Sequence, residues 1–206
     1  MKIVAYFVRH GDTDMNDDNV FRGDLDIGIN KDGQEQAKEL VPYFKGRKFS
    51  AAFNSTRKRT KQTLAPLLSS KGMDSVTSDR LDSLDTGDLA GKPKSDENLE
   101  ILKYYRKHPD EKIPGGEKVQ DWRNRVDSEL LAIIRRGEEA SSPTIAGIHG
   151  SVIKELSRLL TGDMNKVGVD PGGVLGVFKT PNGYVLSALI KPKDGKGNYD
   201  DDRQGS

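Results

Sequence analysis

The chain contains no cysteine. Disulfide staples, thiol nucleophiles and cysteine-based metal sites are therefore excluded, and the composition suits a reducing compartment. Histidine is scarce as well, three residues in 206, and His10, His108 and His149 lack the paired spacing of a metal site, so no metal and no cofactor is expected. An excess of either charge is missing: 33 Lys and Arg against 32 Asp and Glu leave a net charge of +1. Nothing in that balance recruits nucleic acid or a lipid surface, and any attraction for anions has to be local. No apolar run approaches the roughly 20 residues of a membrane-spanning helix. The opening "MKIVAYFVRHGD" has neither the length nor the small-residue cleavage site of a secretion signal. The expectation is a cytoplasmic protein without a nucleic-acid or membrane partner.

What is present is a chain of 206 residues, 33% apolar and 32% charged, enough for one globular domain with a core that needs no staples. Ile3 to Val8 is a continuous apolar run, β-branched and aromatic, as expected of a strand covered on both faces. Asn30 can cap a helix from Lys31 to about Phe44, with Pro42 as a source of a kink. "SAAFNS" (50–55) reads as a short strand, followed by a polar helix through Leu64, Leu67 and Leu68. A short helix is expected around Leu99 to Lys107. Val119, Trp122, Val126, Leu130 and Ile133 mark a long amphipathic helix. "TIAGI" (144–148) reads as a second buried strand, Val152 to Leu160 as a helix stopped at Gly162, and residues 174–190 as a hairpin turning at Asn182-Gly183. Residues 1–191 form the expected domain. Residues 192–206 collapse to Lys, Asp, Gly and Asn and are expected to be a disordered tail.

Strands alternating with helices predict an α/β fold: a three-layer sandwich with a mostly parallel central sheet, helices on both faces and a C-terminal hairpin. Ligands of such folds bind at the carboxyl ends of the strands. Two His-Gly pairs, His10-Gly11 and His149-Gly150, fall there. Arg9 beside His10 brings a guanidinium that grips phosphate oxygens with two parallel hydrogen bonds. A neutral imidazole can attack phosphorus, and glycine lets the backbone approach a ligand closely. An isolated R-H-G is more often a polar strand end.

Here it is not isolated. "VRHGDTDMN" (8–16) resembles the signature R-H-G-(E/D)-T-x-x-N of the histidine phosphatase superfamily, in its phosphoglycerate-mutase-like branch. "FRGDLDIGINKDGQEQA" (21–37) resembles its f-x-G-x-x-D-x-x-L-x-x-x-G-x-x-Q-A segment, with Ile29 at the Leu. "STRKRTKQT" (55–63) resembles S-x-x-x-R-A-x-Q-T and puts a second phosphate-gripping arginine at Arg59. "PGGEKVQDWRNRV" (114–126) resembles P-G-G-E-S-x-x-D-x-x-x-R, with Lys118 at the Ser. "IHGSVIKEL" (148–156) resembles H-G-x-x-I-x-x-L and carries His149. Five ordered segments over about 150 residues make coincidence improbable.

The resemblance implies a metal-independent phosphomonoesterase that forms a phosphohistidine on His10. Arg9, Arg59, His149 and Asn16 would hold the non-bridging oxygens, with Gly11, Thr13 and Gly150 also at the substrate. The partner is a small phosphorylated molecule. The oligomeric state is left open, with a dimer among the options. Cations crowded around His10 would keep its ring neutral and nucleophilic. In the family a Glu in L-x-E-x-x-x-G protonates the leaving oxygen; in "LDSLDTGDLAG" (81–91) that position is Ser83. If the stretch is extended, Asp85 shares a face with position 83 and is the expected acid, with Asp82 and Asp88 behind it; the alternative is that Asp85 caps the turn before Gly87. Competing functions are a phosphoglycerate-type mutase and a phosphate-binding module with weak or no turnover. His108 reads as a helix terminus, Trp122 as core, Arg57 and Lys58 as solvated helix residues with Arg57 in reach of a polyanion, and Lys92 and Lys94 as surface lysines over the pocket.

Overall fold

The computed structural model describes residues 1–190, other than Asp18, Asp24 and the side chains of Asp17 and Ile190; the expected tail at 192–206 lies outside them. The opening apolar run is strand β1 (Lys2–Arg9). After it come α1 (Asp14–Asp17), α2 (Lys31–Tyr43), β2 (Ala51–Asn54), α3 (Lys58–Lys71), β3 (Ser75–Thr77), α4 (Asp96–Lys107), α5 (Val119–Glu139), β4 (Thr144–Ile148), α6 (Gly150–Thr161), β5 (Val174–Thr180) and β6 (Gly183–Ile190). The strands form one six-stranded sheet in the order β3-β2-β4-β1-β5-β6. β3, β2, β4 and β1 are mutually parallel, while β5 runs antiparallel to both neighbours and closes the predicted hairpin with β6.

Helices cover both faces. On one side Leu40 and Phe44 around the end of α2 and Leu64, Leu67 and Leu68 of α3 pack on Tyr6, Val8 and Ile145. On the other, α5 and α6 press Trp122, Val126, Leu130, Ile133, Val152 and Leu156 onto Val4, Phe7 and Ala146. Coverage from both sides is why β1 and β4 are uninterrupted apolar runs rather than alternating ones. Each fully buried Leu or Ile contributes roughly 1.5–3 kcal/mol. Gly137 lets α5 lie this close: a Cβ there would land inside the contact radius of the Val4 carbonyl oxygen on β1.

Local signals behave mostly as expected. The Asn30 side chain accepts a hydrogen bond from the Gly33 amide, Gly162 ends α6 in the left-handed conformation with φ 80°, and Trp122 is core. Pro42 sits in the last turn of α2, which ends one residue later. α4 begins at Asp96, three residues before the expected Leu99, because Ser95 caps it by accepting from the Asn98 amide. β3 was not anticipated: it is a three-residue edge strand whose Val76 is exposed. Among the described residues no helix is long and apolar enough to cross a membrane.

Candidate active site

Parallel pairing of β1 with β4 sets Arg9 opposite Ile148, and the His10 amide donates to the Ile148 carbonyl at 2.9 Å. The residues just past the two strand ends, His10 and His149, therefore stand side by side, with ring centroids 5.5 Å apart. β2 lies on the other flank of β4, with Asn54 opposite Gly147, so Ser55 and the start of α3 reach the same place. This is the carboxyl end of the parallel strands, where such sheets bind ligands.

Both imidazoles are buried, His10 at 0% and His149 at 2% exposure, and their partners fix their tautomers. His10 Nδ1 lies 2.8 Å from the Gly11 carbonyl. A carbonyl only accepts, so Nδ1 carries the proton and Nε2 keeps its lone pair. A guanidinium N–H of Arg22 donates to that lone pair at 3.3 Å. For His149 the assignment is reversed: Nδ1 accepts from Arg59 Nε at 3.3 Å, leaving Nε2–H to donate to Ser55 Oγ at 2.8 Å. Burial first, then Arg22, Arg59 and Arg9, push the His10 pKa well below the usual imidazole range. Burial, followed by Arg59, does the same to His149. Both rings are neutral at physiological pH.

Three guanidiniums converge on this pair. Arg9 Nη1 donates to the Val169 carbonyl at 3.0 Å, and its head lies against Gly150, where a Cβ would sit 3.3 Å from Arg9 Cζ. Arg59, 1% exposed, donates to Leu25 O at 2.8 Å as well as to His149. Arg22 is the residue that sequence reasoning missed. It donates to His10 Nε2 and, through its other terminal nitrogen, to Asn16 Oδ1. Thr13 Oγ1 also donates to Asn16 Oδ1, at 2.7 Å, which leaves the Asn16 amide nitrogen as a donor for an anion. Burial, then Arg59 and Arg9, lower the Arg22 pKa to about 10; burial, then Arg57, does the same for Arg59. Charges held this expensively call for an anion.

The remaining motif residues hold the signature loop in place. Gly11 and Gly33 touch: a Cβ on Gly11 would lie 2.8 Å from the Gly33 carbonyl oxygen, so α2 can press its first turn onto the loop. Gln36 clamps Asp12 from both sides, accepting from its amide at 2.9 Å and donating to its carboxylate at 2.6 Å. Thr63 Oγ1 accepts from the Gly11 amide at 2.8 Å. Glu117 accepts from the Asp85 amide at 2.9 Å and pairs with Arg125 at 2.8 Å, while Arg125 donates to the carbonyls of Asp79 and Asp82, both at 3.0 Å. The PGGE segment thereby fixes the loop that carries Ser83.

Ser83 and the candidate acids lie along that loop. Ser83 Oγ faces the site, accepting from Arg59 Nη2 at 3.5 Å and donating to the Gly23 carbonyl at 3.3 Å. Asp85 lines the same charged cleft of about 490 Å³ as Ser83, Asp82, Arg57 and Arg125. Its carboxylate, however, turns back to accept from the Gly87 amide at 2.9 Å, the turn-capping alternative. Asp82 accepts from the Thr56 amide at 2.8 Å and its hydroxyl at 2.5 Å, and pairs with Arg57 Nε at 3.5 Å. Arg57 is thus an ion-pair partner rather than a solvated residue, whereas Lys58 is exposed with Asp26 3.9 Å away. Asp88 lies against Gly115. Lys94 is more than a surface lysine: a bridge between Val20 and Pro93 seats it half-buried near the pocket, and burial, then Arg22 and Arg9, lower its pKa. Lys92 is exposed. His108 caps α4, with Nδ1 2.9 Å from the Tyr104 carbonyl.

Comparison with known proteins agrees with this geometry. The family model of the histidine phosphatase superfamily (branch 1) matches residues 5–177. A 2,3-bisphosphoglycerate-dependent phosphoglycerate mutase of Xanthobacter autotrophicus is 31% identical over 166 residues, 74% of this chain and 78% of that protein. Among solved structures, a phosphoglycerate mutase of Thermus thermophilus superposes with a TM-score of 0.69 at 23% identity, covering 90% of this chain and 98% of that one. An Escherichia coli protein provisionally assigned as an alpha-ribazole-5'-P phosphatase gives 0.75 at 21% identity, covering 92% and 96%.

Proposed function

We propose that this chain, which belongs to the histidine phosphatase superfamily, hydrolyses phosphomonoesters through a phosphohistidine on His10, without a metal ion. The observation that carries the reading is the His10 ring: its Nδ1–H is tied to the Gly11 carbonyl, so its Nε2 lone pair faces the guanidiniums of Arg9, Arg22 and Arg59. A pocket that only bound phosphate would have no use for an unprotonated imidazole among its cations. In the reaction, Nε2 attacks phosphorus in line with the leaving oxygen. Arg22 exchanges its hydrogen bond to Nε2 for one to a phosphoryl oxygen. Arg9, Arg59, Asn16 and the backbone around Gly11 and Gly150 hold the charge that spreads over the equatorial oxygens. Water then attacks the phosphohistidine, the P–N electron pair returns to Nε2, and both water protons leave with the phosphate before equilibrating with solvent.

The test is a panel of phosphomonoesters assayed with chelator present, for the protein and for His10→Ala, together with trapping of the labelled enzyme by quenching in alkaline detergent. The expected result is an acid-labile, base-stable phosphoryl label that is absent from His10→Ala, with release of free phosphate. The names of the sequence relatives support a second reading, transfer of the phosphoryl group between hydroxyls. A monophosphoglycerate returned as its isomer rather than as phosphate would establish it.

A further inference from the structure

Each transfer to His10 expels an oxygen from phosphorus. An oxygen departing from an alcohol is strongly basic and needs a proton in the transition state, a service worth about 10²–10⁴-fold. The groups around His10 are poor proton donors. A guanidinium keeps its proton near neutral pH, and the one N–H of the neutral His149 ring is committed to Ser55. Where Arg59 Nη2 reaches out of the pocket, it meets Ser83. Of the carboxylates of that loop, Asp82 is engaged with Thr56 and Arg57, Asp85 accepts from the Gly87 amide, and Asp88 lies against Gly115. Among the described residues, the largest charges acting on His10 are those of Arg22, Arg59 and Arg9, and none of these is a carboxylate. The pocket offers positive charge in place of a carboxylate, and positive charge favours an oxygen that leaves as an anion.

We propose that this site takes phosphoryl groups from weakly basic leaving groups, aryl and acyl phosphates, in preference to phosphorylated alcohols. This rests on the hydrolase reading and narrows its substrate class. In the step concerned, the Nε2 lone pair forms the P–N bond, the P–O bond breaks, and its electron pair leaves on the aryloxide or carboxylate without a proton. Dephosphorylation proceeds as above.

A series of substituted phenyl phosphates, from p-nitrophenyl to phenyl, varies leaving-group basicity at nearly constant shape. Acetyl phosphate and glycerol 3-phosphate extend it to the acyl and alkyl classes. The expected result is a steep fall of kcat/KM along the phenyl series and at least a roughly 100-fold deficit for glycerol 3-phosphate against p-nitrophenyl phosphate. Ser83→Glu should flatten the series and raise the alkyl-to-aryl ratio about tenfold or more. If that variant does not fold, the slope measured on the unmodified protein decides alone. His10-dependent hydrolysis with a flat series, or an alkyl deficit smaller than about 100-fold, overturns this inference and leaves the hydrolase reading standing. Absence of any His10-dependent turnover of p-nitrophenyl phosphate overturns the hydrolase reading itself.

Discussion

Replacing Arg22 with Gln should weaken catalysis and strengthen the fold at once. The Arg22 guanidinium stands beside those of Arg9 and Arg59, and its pKa is lowered from the usual guanidinium range to about 10, by burial first and by those two charges next. A shift of that size corresponds to roughly 3 kcal/mol against the charged form. Relaxation and the loss of the bonds to His10 and Asn16 reduce the gain on removal to about 1–2 kcal/mol, or a Tm higher by roughly 2–8 °C for a chain of this size. Activity moves the other way. A charge-assisted hydrogen bond to a phosphoryl oxygen is worth about 1.5–3 kcal/mol, so kcat/KM should fall roughly 10- to 150-fold. Arg22 is also the largest charge holding the His10 pKa down. Without it that pKa rises, and the acid limb of kcat/KM moves to higher pH. Thermal melts with and without inorganic phosphate, beside a pH–rate profile, read all three effects. Phosphate should raise the Tm of the unmodified protein more than that of the variant. A variant that melts lower while keeping full kcat/KM would refute the reasoning, since Arg22 would then be a structural residue unconnected with anion binding.

The two buried imidazoles predict the pH dependence of stability. Their pKa values are depressed in the folded state, so the unfolded chain binds the extra protons as pH falls below about 6.5 and the fold loses stability there, by up to about 1.4 kcal/mol per pH unit for each ring. Denaturant midpoints between pH 7.5 and 5 check this, and His10→Phe should shallow the slope. Gly137→Ala should push α5 off β1 at the Val4 carbonyl, costing about 2–3 kcal/mol and lowering the Tm by several degrees with kcat of the folded protein preserved. Asp85→Asn keeps an oxygen for the Gly87 amide, so both stability and turnover of p-nitrophenyl phosphate should stay within about threefold of the original; a loss of tenfold or more would return Asp85 to the mechanism. Ser55→Ala removes the acceptor that holds His149 Nε2–H and should lower kcat about tenfold with little change in KM, a split that steady-state kinetics separates.

How much of this was legible beforehand follows from what each signal depends on. His10 and His149 were readable because an apolar strand ending in a polar turn is a local pattern, and parallel pairing then brings the two strand ends together. Arg59 was readable from its motif. Arg22 was not, because its position is unconstrained in the segment it belongs to, and only the fold of residues 21–25 against the signature loop aims it at His10. The expectation for Asp85 meets a different limit. The alternation argument assumes an extended chain, but Thr86 has φ −89° and ψ 6° and Gly87 has φ 50°. The chain therefore turns just after Asp85, and a short acidic side chain before a turn is drawn to the turn's own amide.

The same contrast decides what the acid's loss means. A carboxylic acid displaced along its loop would leave a general-acid mechanism intact from a new position. Here Ser83 still occupies the place facing Arg59, held by the Gly23 carbonyl, and the loop is pinned by Glu117 and Arg125 through Asp79, Asp82 and Asp85. A pinned loop cannot swing a neighbouring carboxylate into the pocket without breaking those bonds, each worth about 1 kcal/mol or more when charge-assisted. On the proposed reading, chemistry at this site proceeds with the charges that surround His10, and among the described residues the largest of those are cationic. The proposed substrate preference follows from this: selection by how readily the departing oxygen bears a negative charge.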